Sequence, residues 1–315
     1  MTYHIPALLN ECLEGLVTRP GIYIDGTLGG GGHTEGILQK LENNAWLSDS
    51  KIFGIDQDCD AIAFATQRLK RYLPFFESIE TNFSELQVAL PKDAIETGVQ
   101  GILLDLGVSF YQFDRGERGF SFRSDHQLDM RMSVGSENRA SDIIATYSEK
   151  ELAEIFWRYG EEPKSRQIAK RILEARRIAP IETTGALAGI VKSFYPEYKP
   201  AEQTKAMARV FQALRIEVND ELEALQKTLK ESIALLKPGG RIGVISYHSL
   251  EDRIVKNFMK DLSTDDWGEK RLPIREPIRK ASLKLITKKP LVPSDEEIAR
   301  NSRSRSAKLR IAEKI

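Results

Sequence analysis

The feature that most constrains the fold of this chain is a direct succession of strand, glycine turn and helix. Residues 22–24 are β-branched and aromatic, Asp25 follows them, and four consecutive glycines occupy positions 29–32. The segment 34–41 then has the composition of a helix. Glycine lets the backbone adopt positive φ and approach a ligand closely, and a helix N-terminus has unpaired N–H groups. The succession therefore predicts a site for a nucleotide-like ligand.

Three kinds of ligand use turns of this type, and the residues fit them unequally. A P-loop ends in Gly-Lys-Ser/Thr, whereas residues 32–34 are Gly-His-Thr. A dinucleotide turn reads G-x-G-x-x-G, but its third glycine position is Thr34 here. S-adenosylmethionine sites resemble Asp-x-Gly-x-Gly-x-Gly, and residues 25–31 differ from that string only at Thr27. The turn alone leaves these three ligands, and a flexible surface loop, as open interpretations.

Two further apolar segments end in a carboxylate, as the first does. Residues 51–55 predict a second strand that ends at Asp56, and residues 101–104 predict a central strand that ends at Asp105. In a doubly wound sheet the carboxyl ends of parallel strands hold the ligand. Asp56 lies where such a fold binds a ribose diol. We therefore expect these carboxylates to meet Asp25 at one edge of the sheet.

Two segments beyond these strands are candidates for ligand contact. Phe83 follows a short third strand, at 78–81, and is interpreted either as a cover for an adenine ring or as a core residue. Residues 108–123 mix arginine, glycine and aromatic residues without a helical or strand period. This composition predicts a substrate-side loop suited to nucleic-acid bases and phosphates, or an ordered loop whose aromatics pack inward.

The remaining elements predict an α/β sheet interrupted by a helical insertion. Residues 141–217 have helical periodicity and include a capping box at 148–151. After a helix end and turn at 236–240, the sheet resumes with strands at 241–246, 282–287 and 307–312 and a helix at 249–262. We predict a sheet domain formed by 1–113 and 218–315. The insertion, 114–217, is predicted to be a mainly helical substrate-recognition domain.

Composition limits the partners that this chain can have. Lys and Arg together number 46, as do Asp and Glu, so a nucleic-acid surface has to come from local clusters. Such clusters occur around Arg166 and Lys170, and around Arg303 and Arg305. The sequence shows neither a secretion signal nor an apolar segment of about 18 residues, which predicts a cytoplasmic protein without membrane contact. Its 2 cysteines form no metal-ligand pattern.

Eight strings of residues together resemble one bacterial family, the ribosomal RNA small subunit methyltransferase H (RsmH/MraW) family. The strings lie at 25–33, 54–58, 101–109, 118–122, 128–132, 211–216, 248–256 and 303–308. The resemblance extends from about residue 4 to the C-terminus. It implies a class I S-adenosylmethionine-dependent methyltransferase, with a Rossmann-like, mostly parallel seven-stranded sheet and an inserted helical domain.

The resemblance also implies the reaction and the residues that serve it. The implied reaction is S-adenosyl-L-methionine-dependent N4-methylation of a cytidine in the decoding region of 16S rRNA, within the small ribosomal subunit, by a monomer or homodimer. The implied cofactor-binding residues are Gly31, Gly32, His33, Asp56, Phe83, Asp105 and Gln112. The chain departs from the family pattern at 109–114, in the loop around Gln112, and before Phe211.

The chemistry of the acceptor indicates which residues could be catalytic. The cytosine amino group is a poor nucleophile, so an acceptor beside it would help it to lose a proton. Asp105 is the first candidate and His248 the second, although a histidine at a strand end can equally be structural. Methylation at carbon 5 normally needs a cysteine nucleophile. Neither Cys12 nor Cys59 follows the predicted strands at 101–104 and 241–246, where the target base is expected.

Three alternative functions remain open at the level of the sequence. A non-catalytic RNA-binding assembly factor could keep the methyl donor as a structural ligand. A DNA N-methyltransferase often has Asp/Asn/Ser-Pro-Pro-aromatic after the fourth strand, but residues 105–108 are Asp-Leu-Gly-Val. A dehydrogenase is disfavoured by the incomplete dinucleotide spacing.

Overall fold

The computed structural model describes residues 6–107, 118–132, 138–268 and 276–315 of the chain. The chain divides into two compact units. Unit 1 comprises Met1–Gly107 and Ala224–Ile315, and unit 2 comprises Val108–Glu223. The described part of the chain contains no helix with the length and apolar character needed to span a membrane.

A single twisted sheet forms the centre of unit 1. Within the described residues its strands are β1 (Ile22–Asp25), β2 (Lys51–Asp56), β3 (Phe76–Glu80), β4 (Val99–Asp105), β5 (Leu236–Ser246), β6 (Leu283–Leu285) and β7 (Lys308–Lys314). The strand order is β3-β2-β1-β4-β5-β7-β6, and only β7 runs antiparallel to its neighbours. This arrangement confirms the predicted Rossmann-like, mostly parallel seven-stranded sheet.

Helices occur in both units. They are α1 (Leu9–Leu16), α2 (Gly32–Asn43), α3 (Cys59–Arg68), α4 (Leu86–Ala89), α5 (Lys92–Thr97), α6 (Ala140–Thr146), α7 (Glu149–Arg158), α8 (Ser165–Arg176), α9 (Thr184–Lys192), α10 (Pro200–Asn219), α11 (Glu221–Leu235), α12 (Ser249–Leu262) and α13 (Asp295–Arg300). The predicted bounds of α12 are confirmed, and α2 begins two residues before its predicted start.

Side chains alternate between the two faces of the sheet along every strand, and apolar cores cover both faces. On β4, Leu103 packs into a core with residues of α1, α2 and α3. Its neighbours Ile102 and Leu104 point to the opposite face and pack with residues of α5, α11 and α12. The central strand is therefore almost wholly apolar, and its first polar side chain after residue 100 is Asp105, at the carboxyl end.

Parallel pairing brings the carboxyl ends of three strands together. Asp25 at the end of β1 lies beside Gly54 of β2 and Leu103 of β4. Asp56 and Asp105 each lie two residues beyond those partners. The carboxylates that end β1, β2 and β4 thus lie at one edge of the sheet, as predicted from the sequence.

The fifth strand begins earlier than predicted. Residues 236–240 were expected to form a helix end and a turn, but the structure assigns them to β5. Val99 pairs with Leu236, and the register then shifts so that Gly101 pairs with Arg241. The extra residues form an irregularity that contains Gly239 at φ 76°, a conformation that glycine adopts readily. A Pro-Gly-Gly string is thus part of an irregular strand here.

Unit 2 is helical through most of its described residues. The predicted capping box is present at the start of α7, where Ser148 and Glu151 exchange side-chain to backbone hydrogen bonds. Apolar residues of α6–α10 share one core, which includes Leu152, Phe156 and Phe211. A mainly helical character for this part of the chain agrees with the periodicity of 141–217.

A buried carboxylate ties three segments of unit 2 together. Glu162 is fully buried, and it accepts a hydrogen bond from Nε of Arg209 at 2.8 Å. The backbone N–H of Lys164 donates to Glu162 at 2.9 Å, and the Tyr195 hydroxyl donates to the same carboxylate oxygen. Burial of a carboxylate is tolerated only when its charge is paired and its lone pairs are hydrogen-bonded.

We predict that Arg209→Ala destabilises the protein by roughly 3 kcal/mol, because it leaves Glu162 buried without its cation. Urea unfolding measures the effect. The matched control is Lys199→Ala, which removes the cation of an exposed pair with Glu202 and should cost less than about 1 kcal/mol. Equal stability of Arg209→Ala and the parent would show that the pair does not stabilise unit 2.

Candidate active site

The first carboxylate of the sheet edge, Asp25, is an organising residue for the glycine turn. It is 1% exposed, and its two oxygens accept hydrogen bonds from the Thr34 hydroxyl at 2.7 Å and the Thr27 backbone N–H at 3.2 Å. Burial raises its pKa, and the neighbouring His33 and the Thr34 hydroxyl oppose that rise. Asp25 therefore joins the end of β1 to the first turn of α2.

The second carboxylate, Asp56, connects the glycine turn to the end of β2. One oxygen accepts the backbone N–H of Gly29 at 2.8 Å, and the other accepts that of Asp58 at 3.0 Å. Burial raises the pKa of Asp56 to about 6, against the effect of these two hydrogen bonds. Each carboxylate oxygen keeps a second lone pair, so the side chain can still accept two hydroxyl donors such as those of a ribose.

The third carboxylate, Asp105, has the most elaborate set of contacts. Its Oδ1 accepts a hydrogen bond from the Tyr247 hydroxyl at 2.8 Å, and its Oδ2 lies 3.6 Å from Nδ1 of His33. Its backbone N–H donates to the Thr27 hydroxyl at 2.6 Å. Burial raises the pKa of Asp105 to about 6, and it raises the pKa of Tyr247 well above the usual value. The tyrosine therefore stays a proton donor at neutral pH and orients the carboxylate.

His33 links Asp105 to the N-terminal segment. The side chain is buried, and its Nε2 lies 3.0 Å from the backbone carbonyl of Ala7. A carbonyl oxygen can only accept, so Nε2 carries a proton, and Nδ1 faces Asp105. The predicted cofactor residue His33 thus lies beside the carboxylate cluster and is anchored to the backbone of Ala7.

The glycines of the turn have different physical roles. Gly29 and Gly31 adopt φ 48° and 73°, and a Cβ on Gly29 would find only one atom within 4 Å, at 3.9 Å. A Cβ on Gly31 would lie 3.2 Å from Cβ of Ala65, and one on Gly32 would lie 3.2 Å from Pro6. Gly31 and Gly32, both predicted to bind the cofactor, are therefore also required for close packing.

The remaining predicted site residues are placed as follows. Phe83 is half-buried at the start of a short 3-10 helix, and its Cβ lies 3.8 Å from where a Cβ on Gly26 would stand, next to the turn. His248 is the N-cap of α12, where its Nδ1 accepts the backbone N–H of Glu251 at 3.4 Å and its Nε2 lies 3.0 Å from the Glu251 carboxylate. Gln112 lies outside the described residues.

Two contact residues at Asp105 were not predicted. Thr27 was noted only as a departure from a glycine string, yet its hydroxyl bridges the turn to β4. Tyr247, the residue that follows β5, was not among the candidates, yet it contacts Asp105 directly. A signal was available for Tyr247, because the residue after the neighbouring parallel strand faces the same edge. The sequence offered no comparable signal for the Thr27 contact.

Comparison with known proteins decides the family. The model of the MraW methylase family matches residues 1–315. The chain belongs to the MraW methylase family. Membership confirms the predicted methyltransferase class and, with it, S-adenosyl-L-methionine as the cofactor. The half-buried carboxylates of Asp56 and Asp105, beside a turn that is open at Gly29, suit the hydroxyl and cationic groups of that cofactor.

Named relatives of this methylase are similar over nearly their whole length. A protein of Chloroherpeton thalassium named ribosomal RNA small subunit methyltransferase H is 47% identical over 99% of this chain and 99% of its own. A protein of the same name from Chlorobium phaeovibrioides is 48% identical over 99% of this chain and 97% of its own. A solved rRNA methylase from Streptococcus thermophilus is similar at TM-score 0.41 and 11% identity, covering 98% of this chain and 93% of that one.

The raised pKa of Asp105 makes a prediction about stability. Its folded-state pKa, about 6, lies above the ordinary value of 3.8, so the folded state binds the proton more tightly than the unfolded state. The resulting stabilisation is present below about pH 4 and is lost as the pH rises through about 6. The neutral isostere Asp105→Asn should therefore be more stable than the parent at pH 7.5, by at most about 3 kcal/mol.

Urea unfolding at several pH values between 5 and 7.5 checks this prediction. The stability gain of Asp105→Asn should grow across that range, whereas the exposed control Asp49→Asn should give a flat difference. A gain that is absent, or constant with pH, would mean that Asp105 titrates in the free protein like a solvated aspartate.

Proposed function

We propose that this methylase transfers the methyl group of S-adenosylmethionine to N4 of a cytidine in the decoding region of 16S rRNA. The observation that carries the proposal is Asp105, a half-buried carboxylate at the end of the central strand that the Tyr247 hydroxyl orients and that lies 3.6 Å from His33. The names of the relatives support a small-subunit ribosomal RNA as the substrate.

In this proposal the sheet edge binds the cofactor through its carboxylates and its turn. Asp56 accepts the ribose hydroxyls, while the backbone N–H groups of Gly29 and Asp58 keep its carboxylate in place. Phe83 covers the adenine ring, and Asp25 and His33 hold the turn against Asp105. Gly31, Gly32 and Gln112 complete the assigned cofactor-binding residues.

The proposed chemistry needs positioning and a proton acceptor. The bound cofactor supplies an activated methyl group on a positively charged sulfur. Asp105, ionised above about pH 6, accepts a hydrogen bond from the cytosine amino group and takes the proton that N4 loses as the N–C bond forms. Tyr247 donates a hydrogen bond to Oδ1 of Asp105 and so fixes the orientation of the carboxylate. His248 remains a second candidate for this role.

The RNA-binding role is assigned to the insertion 114–217 together with the C-terminal basic cluster. Arg166 and Lys170 are exposed on α8, and Arg303 and Arg305 are exposed on the 3-10 helix Ser302–Ser306. The nearby Arg176 is not available, because it donates to the carbonyls of residues 144 and 147 at 2.7 Å. The four exposed side chains are proposed to meet phosphates, which makes binding weaken with salt.

The experiment that tests the proposal incubates the protein with labelled S-adenosylmethionine and three acceptors: protein-free 16S rRNA, small ribosomal subunits and DNA. The acceptors are then digested to nucleosides. N4-methylcytidine from rRNA, free or in subunits, is the expected product. Label in DNA alone would indicate a DNA methyltransferase, and binding of the cofactor and of rRNA without transfer would indicate an assembly factor.

We predict that the double variant Cys12→Ser, Cys59→Ser keeps full methyl transfer and yields N4-methylcytidine. Burial raises the pKa of the Cys12 thiol well above its usual range, which leaves it a poor nucleophile, and Cys59 is exposed at the start of α3. Identification of 5-methylcytidine, or loss of transfer in a folded variant that binds the cofactor, would refute the N4 assignment.

We predict that Asp56→Asn weakens S-adenosylmethionine binding by roughly 1–3 kcal/mol, because charge-assisted hydrogen bonds to the ribose are lost. Calorimetry measures the affinity. The control Glu80→Gln neutralises an exposed carboxylate at the end of the adjacent strand β3 and should leave the affinity unchanged. Equal affinity of Asp56→Asn and the parent would remove Asp56 from the ribose site.

A further inference from the structure

A groove in unit 2 has not been assigned a role by the reaction described above. It has a volume of about 780 Å³ and is lined by residues of α7 and of the first turn of α8. Trp157 lines it, together with Lys150, Glu154, Arg166 and Gln167. The groove therefore combines one large aromatic surface with side chains of both charges and an amide.

Trp157 is placed for contact with a ligand, because the core does not use it. The preceding residues of α7, Ile155 and Phe156, are buried in the core of unit 2, whereas Trp157 is 63% exposed. A tryptophan left in solvent forgoes the burial that makes it stabilising. A flat aromatic face beside polar groups is the kind of surface on which an unpaired nucleobase stacks.

The charges near the groove indicate where a phosphate would lie. Arg166, Lys170 and Arg177 are exposed, and their spacing places them on one face of α8. Among the described residues these three form no ion pair, whereas Arg171 pairs with Glu174 on the same helix. The result is an unneutralised positive stripe that begins at the groove and runs along α8.

The acidic residues that line the groove indicate how a nucleotide would be oriented in it. Glu149 and Glu154 line the groove from α7, as does Lys150, and Arg166 lines it from α8. Carboxylates repel a phosphate but accept hydrogen bonds from the amino groups of a base. A nucleotide in this groove would therefore direct its base towards α7 and Trp157, and its phosphates towards Arg166 and Lys170.

We propose that this groove binds an unpaired nucleotide of the RNA substrate, with the base stacked on Trp157 and the neighbouring phosphates on the stripe Arg166, Lys170 and Arg177. The inference rests on the proposed function, since it takes RNA to be the substrate. The stacking contact is additional to the phosphate contacts of the basic surface. The two can be distinguished experimentally, because stacking is independent of salt whereas phosphate contacts are not.

The test measures binding of protein-free 16S rRNA, and steady-state methylation of it, for Trp157→Ala, Trp157→Phe and the control Ile178→Ala. Ile178 is 85% exposed and lies outside the groove. Trp157→Ala should bind RNA roughly tenfold more weakly, with a raised KM for RNA, an unchanged kcat and unchanged affinity for S-adenosylmethionine. Trp157→Phe should recover most of the affinity, and Ile178→Ala should match the parent.

Salt dependence separates stacking from charge. Trp157→Ala should keep the parent's slope of log affinity against log salt, whereas Arg166→Ala, Lys170→Ala together should flatten it by roughly 1.4. Parental RNA affinity in Trp157→Ala, or a defect seen only with assembled subunits, as a protein partner would cause, overturns the inference. Failure of the proposed function has a different signature, namely a parent protein that forms no N4-methylcytidine.

Discussion

The cost of burying carboxylates at the end of a parallel sheet is the physical constraint on which this site depends. Asp25, Asp56 and Asp105 end three neighbouring strands, and burial raises the pKa of each. A buried charge persists only when hydrogen bonds or opposite charges offset its loss of hydration. Thr34, Tyr247, His33 and the backbone of the turn supply part of that compensation. A cationic ligand would supply the rest.

The same constraint explains why the glycine turn and the carboxylates form one unit. Asp25 and Asp56 hold the turn through Thr27 and Gly29, and Thr27 in turn accepts a hydrogen bond from the backbone of Asp105. The carboxylates that would bind the ligand therefore also make the hydrogen bonds that order the turn. A neutral side chain in place of any of these aspartates removes the free-energy cost of burying a charge but weakens the site. This is the usual conflict between stability and function.

Much of this arrangement could be predicted from the sequence, because it follows from periodicity. Apolar segments that end in Asp25, Asp56 and Asp105 define parallel strands, and parallel strands necessarily place their ends at one edge. The capping box at the start of α7 was predictable because it is local, since Ser148 and Glu151 are only one turn apart. Long-range contacts were not predictable by this means. Tyr247 and Asp105 are far apart in sequence, and β5 begins early because Leu236 pairs with Val99 across an irregular register.

The most direct test is to measure the carboxyl pKa values of Asp56 and Asp105 by ¹³C NMR titration of aspartate-labelled protein. The variants Asp56→Asn and Asp105→Asn identify the signal of each residue. Both should titrate near pH 6 in the free protein. Saturating S-adenosylmethionine, whose sulfur is positively charged, should lower the pKa of Asp105 by about 1 unit or more, and S-adenosylhomocysteine, whose sulfur is neutral, should lower it less. A pKa near 4 in the free protein, or one that neither ligand changes, would contradict a cation site built from buried carboxylates.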